Sequence, residues 1–276
     1  MDDDEHGRHL LRALSVAVRG NGPVTVVFSH GFGTDQSVWS RILPYFTLSR
    51  RYRVITYDLM CAGTCDPNAY DFHKYSTLQG YVDDLLHVLR VLRVERCAFV
   101  GHSISAMIGL LASILEPGIF GRLILLGASP RFTNDEGYIG GIEPAHMEEV
   151  FHAMESNYIG WVEGFAPMAV GTDLPQPVQE FSRTLFSMRP DIALHVARTA
   201  FAADLRAYLG QVTVPVFIIQ SAEDRSVPMS VAEYLRDHLG GPTVIEVLRT
   251  RGHLPHLSAP VLVGPAIQRL LARNIG

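Results

Sequence analysis

The stretch that most limits what this chain can become is residues 98–109, AFVGHSISAMIG. A short apolar run over 97–100 meets Gly101-His102-Ser103-Ile104-Ser105, and an apolar segment of helical character follows over 106–114. Strand, sharp turn and helix in that order are the setting of a nucleophile elbow. The turn crowds the backbone at Ser103, so its neighbours have to be small. Gly101 meets that need on one side. On the other, the G-x-S-x-G pattern asks for glycine and this chain has Ser105, which is still small. Such a turn exposes the Ser103 hydroxyl at the carboxyl end of a strand, and the helix start beneath it offers free N–H groups to an anion. A plain Gly-Ser turn without chemistry has the same local pattern, so the rest of the chain has to decide.

A second junction of the same kind lies upstream. Residues 24–29 (VTVVFS) read as a buried strand from their β-branched run. They end in His30-Gly31-Phe32-Gly33, and apolar residues at helical spacing follow over 35–46. Glycines at such a turn let backbone N–H groups approach a reacting atom. With the elbow in place, the expected oxyanion donors are the N–H groups of Phe32 and Ile104.

Strand and helix patterns then alternate. Residues 11–18 read as a first strand or a helix-to-strand transition, and 53–57 as a buried strand ending at Asp58. A helix beginning at 75–77, with Ser76 or Thr77 as its cap, continues with an amphipathic face through Leu92. Residues 123–126 are the next strand. Between 131 and 209 the strand signal disappears. Helical periodicity appears over 143–155, 157–169, 178–186 and 192–201, punctuated by prolines. Strands return at 214–220 and 243–248, and a closing helix is expected over about 258–272. The alternation predicts a mostly parallel, doubly wound α/β sheet. Residues 1–130 and 210–276 form its two parts, and the all-helical insert 131–209 is a lid over the carboxyl ends of the strands. The lid carries Met154, Trp161, Phe165, Met168, Phe186 and Met188, as pocket wall or as ordinary packing.

Ser103, Asp224 and His253 each follow a predicted strand, so all three fall at one sheet edge, where open α/β sheets bind ligands. Their chain order, Ser then acid then His, is that of the α/β-hydrolases. In this reading Ser103 attacks, His253 takes and returns its proton, and Asp224 holds the imidazole. His30, His102 and His256 compete for the histidine role. His30 and His102 adjoin glycine turns and read as scaffolding. Asp58 is the other candidate acid, and Gly127-Ala128-Ser129 offers no carboxylate after the 123–126 strand.

The 276 residues carry a net charge of −5 and 47% hydrophobic content, which supplies a core and does not suggest a nucleic-acid surface. The first five residues, MDDDE, are the opposite of a basic signal start and read as a solvated, mobile tail. No stretch is long and apolar enough to span a membrane. Three cysteines, Cys61, Cys65 and Cys97, argue for reduced thiols inside the cell, and no set at metal-ligand spacing accompanies them. No cofactor motif is present, and this chemistry needs none.

With these residues placed, the chain resembles the plant strigolactone and karrikin receptor family of α/β-hydrolases. The matching stretches include SHGFGTDQSVW (29–39), YDLMCAG (57–63), VGHSISAMIG (100–109), WVEGFAPMAVG (161–171), EFSRTLFSMRPDI (180–192) and GHLPHLSAP (252–260). Ser105 fits that family's own pattern. Cys61-Ala62-Gly63, Ser226-Val227-Pro228 and Phe132 look like the strigolactone branch, Thr64 and Ala128-Ser129-Pro130 like the karrikin branch. The Cys65–Asn68 loop and His256 depart from both, as in a divergent receptor-like paralogue.

The resemblance implies a butenolide ligand under a four-helix lid, hydrolysed slowly, with a fragment retained on the catalytic histidine. It implies that Phe132, Tyr158, Trp161, Phe165, Phe201 and Ser226 line the pocket. It also implies docking to a leucine-rich-repeat F-box protein and a Clp-ATPase-like repressor, by a monomer in the cytoplasm and nucleus, with the lid as the changing surface. A plain carboxylesterase or lactonase, and a ligand-binding module with little catalysis, remain alternative readings of the same residues.

Overall fold

The computed structural model describes residues 2–171 and 174–274. Helix α1 (Asp2–Ala13) opens the chain, followed by a short strand β1 (Ala17–Arg19). The acidic start, expected as a solvated, mobile tail, is helical from residue 2, with Met1 outside the described residues, and residues 11–18 hold the helix-to-strand transition that was one of the two readings there, the end of α1 leading into the start of β1. Gly7 packs so closely that a Cβ there would stand 2.7 Å from the Val91 side chain.

β2 (Val24–Ser29) is followed by a 3₁₀ turn (Gln36–Trp39), a short α2 (Pro44–Thr47) and β3 (Tyr52–Tyr57). The single helix expected over 35–46 is thus split. Asp35 caps the 3₁₀ turn by accepting the Ser37 N–H at 2.8 Å, and Pro44 restarts the chain as a helical first residue. Next comes α3 (Gln79–Val91), with Leu78 rather than Ser76 or Thr77 at its cap position. β4 (Cys97–His102), α4 (Ile104–Leu115) and β5 (Phe120–Leu126) complete the first part.

Four helices then run without an intervening strand: α5 (Pro144–Ser156), α6 (Tyr158–Val170), α7 (Pro175–Ser187) and α8 (Pro190–Phe201). Proline stands in the first turn of three of them, α5, α7 and α8, where its missing N–H costs nothing. The second part holds β6 (Val216–Glu223), α9 (Met229–His238), β7 (Thr243–Arg251), a short α10 (Pro255–Ser258) and α11 (Pro260–Ala272).

The seven strands form one sheet in the order β1-β3-β2-β4-β5-β6-β7. Only the β1–β3 pair is antiparallel. From β2 the chain first winds outward to β3, then returns to place β4 on the other side of β2. The topological switch point, where crevices open in such sheets, therefore lies between β2 and β4. Both glycine turns read from the sequence sit there. The central strands are closed to water, β4 along its whole length.

The lid is fastened to the sheet at several points. Leu205 N–H donates to the Pro130 carbonyl at 2.8 Å, joining the chain's exit from the core to its return. Thr184 Oγ1 donates to the Gly33 carbonyl at 2.6 Å, and Arg41 pairs with Glu180.

Candidate active site

Ser103 is the residue between β4 and α4. Its backbone takes φ 54° and ψ −118°, a left-handed conformation that costs a side-chain-bearing residue about 1–3 kcal/mol. Backbone bonds hold it there: Ser103 N–H donates to Leu126 O at 2.8 Å, and Ala106 N–H to Ser103 O at 2.9 Å. The neighbours must be small for a concrete reason. A Cβ at Gly101 would stand 2.7 Å from both the Phe99 ring and the Ser105 carbonyl.

Ser105 adds what glycine lacks. Its buried hydroxyl donates to the His30 carbonyl and lies 2.7 Å from Ser29 Oγ, which in turn donates to Tyr57 Oη at 2.8 Å. The elbow is thereby bonded to the end of β2 and to the turn that follows. That turn presses on the elbow: a Cβ at Gly31 would lie 2.3 Å from His102 Nδ1 and 3.2 Å from Ser103 Cβ. Phe32 lines the same cavity as Ser103. The Ile104 N–H belongs to the first turn of α4, whose N–H groups have no acceptor within the helix. The two expected anion donors thus belong to two different turns, one on each side of the β2–β4 switch point.

Asp224 follows β6, and His253 lies just beyond β7. His253 Nδ1–H donates to Asp224 Oδ2 at 2.8 Å, and the Asp224 side chain is only 1% exposed. Its other oxygen accepts the N–H groups of Ser226 and Val227 at 2.8 and 3.1 Å. The carboxylate therefore has a partner at each oxygen and a fixed orientation, and the imidazole is held with its proton on Nδ1. That leaves Nε2 free to accept a proton. Asp58, the alternative acid, is occupied elsewhere: Oδ1 takes the Gln36 N–H at 2.8 Å. His30 is a strut, with Nε2 accepting the Leu59 N–H at 2.9 Å.

His253 is braced from two more sides. His102 Nε2–H donates to the His253 carbonyl at 2.8 Å, and the His253 N–H donates to Ala169 O of α6 at 2.7 Å. Behind His102 the His256 ring lies 4.3 Å away, stacked in turn on Trp39 at 4.6 Å. His102 Nδ1 and both His256 nitrogens are buried without a hydrogen-bond partner among the described residues. Burial holds both histidines neutral, His256 pushed down to about 3 and His102 well below its ordinary value.

These buried rings set a pH dependence. Below about pH 6.5 the unfolded chain protonates its histidines while the folded chain leaves these two neutral. The unfolded state then binds more protons, so stability falls as pH falls, by up to about 1.4 kcal/mol per pH unit for each ring. For His256 the loss extends down to about pH 3. Thermal unfolding followed from pH 7.5 to pH 5 is expected to show this decline, and to show a slope about one proton shallower in His256→Gln. An unchanged slope in that variant would count against the account.

Ser103 and His253 open into a cavity of about 370 Å³ beneath the lid. Phe132, Phe165, Phe201 and Ser226 line it, with Phe32 and Phe201 edge to face at 5.3 Å. Two expected lining residues sit one layer back. Trp161 is stacked on Phe165 at 4.8 Å with Phe32 at 6.3 Å, so it backs the wall. Tyr158 turns its hydroxyl away to the Leu185 carbonyl at 2.8 Å. Of the lid methionines, Met168 reaches the cavity and Met154 and Met188 are buried among the helices, while Phe186 is exposed. Sequence reasoning missed Ile142, which precedes α5 and is bridged to Thr133, and Met147 and Val150, whose helical spacing looks the same facing core or cavity. It also missed His146 and Arg225, both exposed at the cavity.

Comparison with known proteins shows the family and the fold. Residues 26–265 match the family model described as Alpha/beta hydrolase family. Strigolactone esterase D14 of Arabidopsis thaliana is 58% identical over 96% of this chain and 98% of its own length. Karrikin insensitive 2 receptor IA of Petunia hybrida is 50% identical over 96% of this chain and 97% of its own. Among solved structures, a hydrolase from Oleispira antarctica superposes with a TM-score of 0.93 at 28% identity, covering 97% of this chain and 98% of that one. A chain that shares its fold with the first and nearly its whole sequence length with the others belongs to the α/β-hydrolase family, in the branch that holds the plant strigolactone esterases and karrikin receptors.

Proposed function

We propose that this protein is a hormone-receptor-type serine hydrolase that binds a butenolide ligand and cleaves it slowly. The observation that carries the reading is the Asp224–His253 hydrogen bond at the floor of an apolar cavity that also holds Ser103 on its strained elbow. Ser103 Oγ attacks the ester or lactone carbonyl carbon while His253 Nε2 takes its proton. The oxyanion receives the N–H groups of Phe32 and Ile104. The carbon–oxygen bond to the leaving group breaks as His253 returns the proton to it, and water releases the acyl group by the same route. Asp224 keeps the imidazole tautomer and steadies the imidazolium. The aromatic walls, Phe132, Phe165 and Phe201, take the apolar body of the ligand.

Identity to strigolactone esterases is 58%, against 48–53% to the karrikin insensitive 2 receptors of Petunia hybrida, which favours a strigolactone-like ligand. Signalling would pass through a leucine-rich-repeat F-box protein and a Clp-ATPase-like repressor, docked by the lid. Exposed Ile159 and Phe186 on the lid support a partner of that kind. The three free cysteines fit the reducing cytoplasm and nucleus.

The test is intact-protein mass spectrometry after incubation with a synthetic strigolactone, beside Ser103→Ala. A mass increase the size of the butenolide ring, on the wild type alone and mapping to His253 or Ser103, is the expected result. Rapid turnover of generic esters with no adduct would replace this reading with a plain esterase.

A further inference from the structure

The cavity does not end at its mouth. Beyond it runs a groove of about 540 Å³ between the end of α6 and the ends of β6 and β7. The two share Met168 and Arg225 as lining residues, so they are neighbours that border one another at these two side chains. Their chemistry differs. The cavity is walled by aromatic and aliphatic side chains, whereas the groove is lined by Arg225, Arg249 and Arg251 against one carboxylate, Glu223.

That glutamate is already taken, since Arg251 Nε lies 3.0 Å from its carboxylate. Arg225 and Arg249 are exposed and pair with no carboxylate among the described residues. The chain as a whole carries a net charge of −5, so two unpaired arginines facing one groove run against its overall balance. Guanidinium groups hold carboxylates by paired, charge-assisted hydrogen bonds.

We propose that this arginine-lined groove is a second subsite for an anionic substituent, and that the chain prefers ester ligands whose apolar body ends in a carboxylate. The proposal rests on the esterase reading for the position of the ester, and deepens it by naming the charge class of the ligand. The ester sits at Ser103, the apolar body fills the cavity, and the carboxylate crosses Met168 to reach Arg225 and Arg249.

The experiment uses two synthetic probes with the same ester head and apolar spacer, one ending in a carboxylate and the other in its primary amide. Their Kd values are measured on Ser103→Ala, where no turnover intervenes, and their hydrolysis on the wild type. The acid is expected to bind about two- to fivefold tighter, the range of a favourable but solvent-exposed ion pair. The preference should shrink as salt is raised and vanish when Arg225→Gln and Arg249→Gln are combined in the Ser103→Ala background. The Arg249→Gln change alone, remote from Asp224, should lower the ratio part way. Equal Kd values, tighter binding of the amide, or a preference that survives both substitutions would overturn the subsite. Failure of the wild type to hydrolyse either probe would count against the esterase reading alone, because the Kd ratio is read without turnover.

Discussion

Ser103→Ala is expected to lower kcat for ester hydrolysis by about 10⁴-fold or more, and Asp224→Asn by about 10⁴-fold. The two losses have different causes. In the first the nucleophile is gone, while the elbow keeps the backbone bonds to Leu126 and from Ala106 that hold it. In the second the nucleophile remains and the base is spoiled. Asp224 Oδ1 faces two N–H donors and Oδ2 faces the His253 Nδ1 proton. An asparagine keeps its carbonyl oxygen on the two donors and turns its NH₂ toward Nδ1. The imidazole then carries its proton on Nε2 and cannot accept one from Ser103. Initial rates on a butenolide ester, beside a check that both variants unfold near the wild-type temperature, measure the effect. Either variant retaining activity within tenfold of wild type would remove that residue from the mechanism.

Gly252→Ala is expected to be the most damaging single methyl in the molecule. Gly252 has φ +80°, and a Cβ there would stand 2.0 Å from the Val170 carbonyl oxygen and 2.4 Å from its carbon. Both the conformation and the space are reserved for hydrogen. From the other side, Gly171 ends α6 so close that its own Cβ would meet Gly252 Cα at 2.5 Å. The obstacle is backbone at the end of α6, which has no rotamer to escape into. Strain and overpacking together are expected to cost on the order of 3–5 kcal/mol, or roughly 10 °C in Tm for a domain of this size. Because the next residue is His253, activity should fall beyond what the lost stability explains. A Gly252→Ala protein with wild-type Tm and kcat would show that the two backbones can part without consequence.

The sequence carried the architecture through its punctuation. Glycines at 31, 33 and 101 marked the two strand-to-helix turns, and three of the lid helices start at prolines 144, 175 and 190, one to three residues from where the periodicity put them. Chain order then singled out Ser103, Asp224 and His253, and the structure brings the last two to 2.8 Å. What failed failed for physical reasons. An acidic pentapeptide looks like a mobile tail, and the helix that takes it in from residue 2 is anchored further on, where Gly7 meets Val91, a contact that no local pattern announces. The helix expected over 35–46 breaks because Asp35 caps a 3₁₀ turn and Pro44 starts the chain afresh. Lid residues at helical spacing could not be sorted into core, cavity wall or second layer, so Met147 was not found at the cavity, and it was the resemblance, not the spacing, that set Tyr158 and Trp161 at the ligand. Arg225 was passed over because a charge beside the acid of a triad reads as solvated surface.

The hydrogen bond from the His253 N–H to Ala169 O makes the pose of α6 and the position of the imidazole one shared variable. Equilibrium linkage then runs in both directions. A protein that grips α6 in one pose changes the affinity for a ligand resting on His253, and the ligand changes the affinity for that protein by the same factor. The coupling would rest on one backbone N–H and one carbonyl, and its size is the factor that either measurement returns.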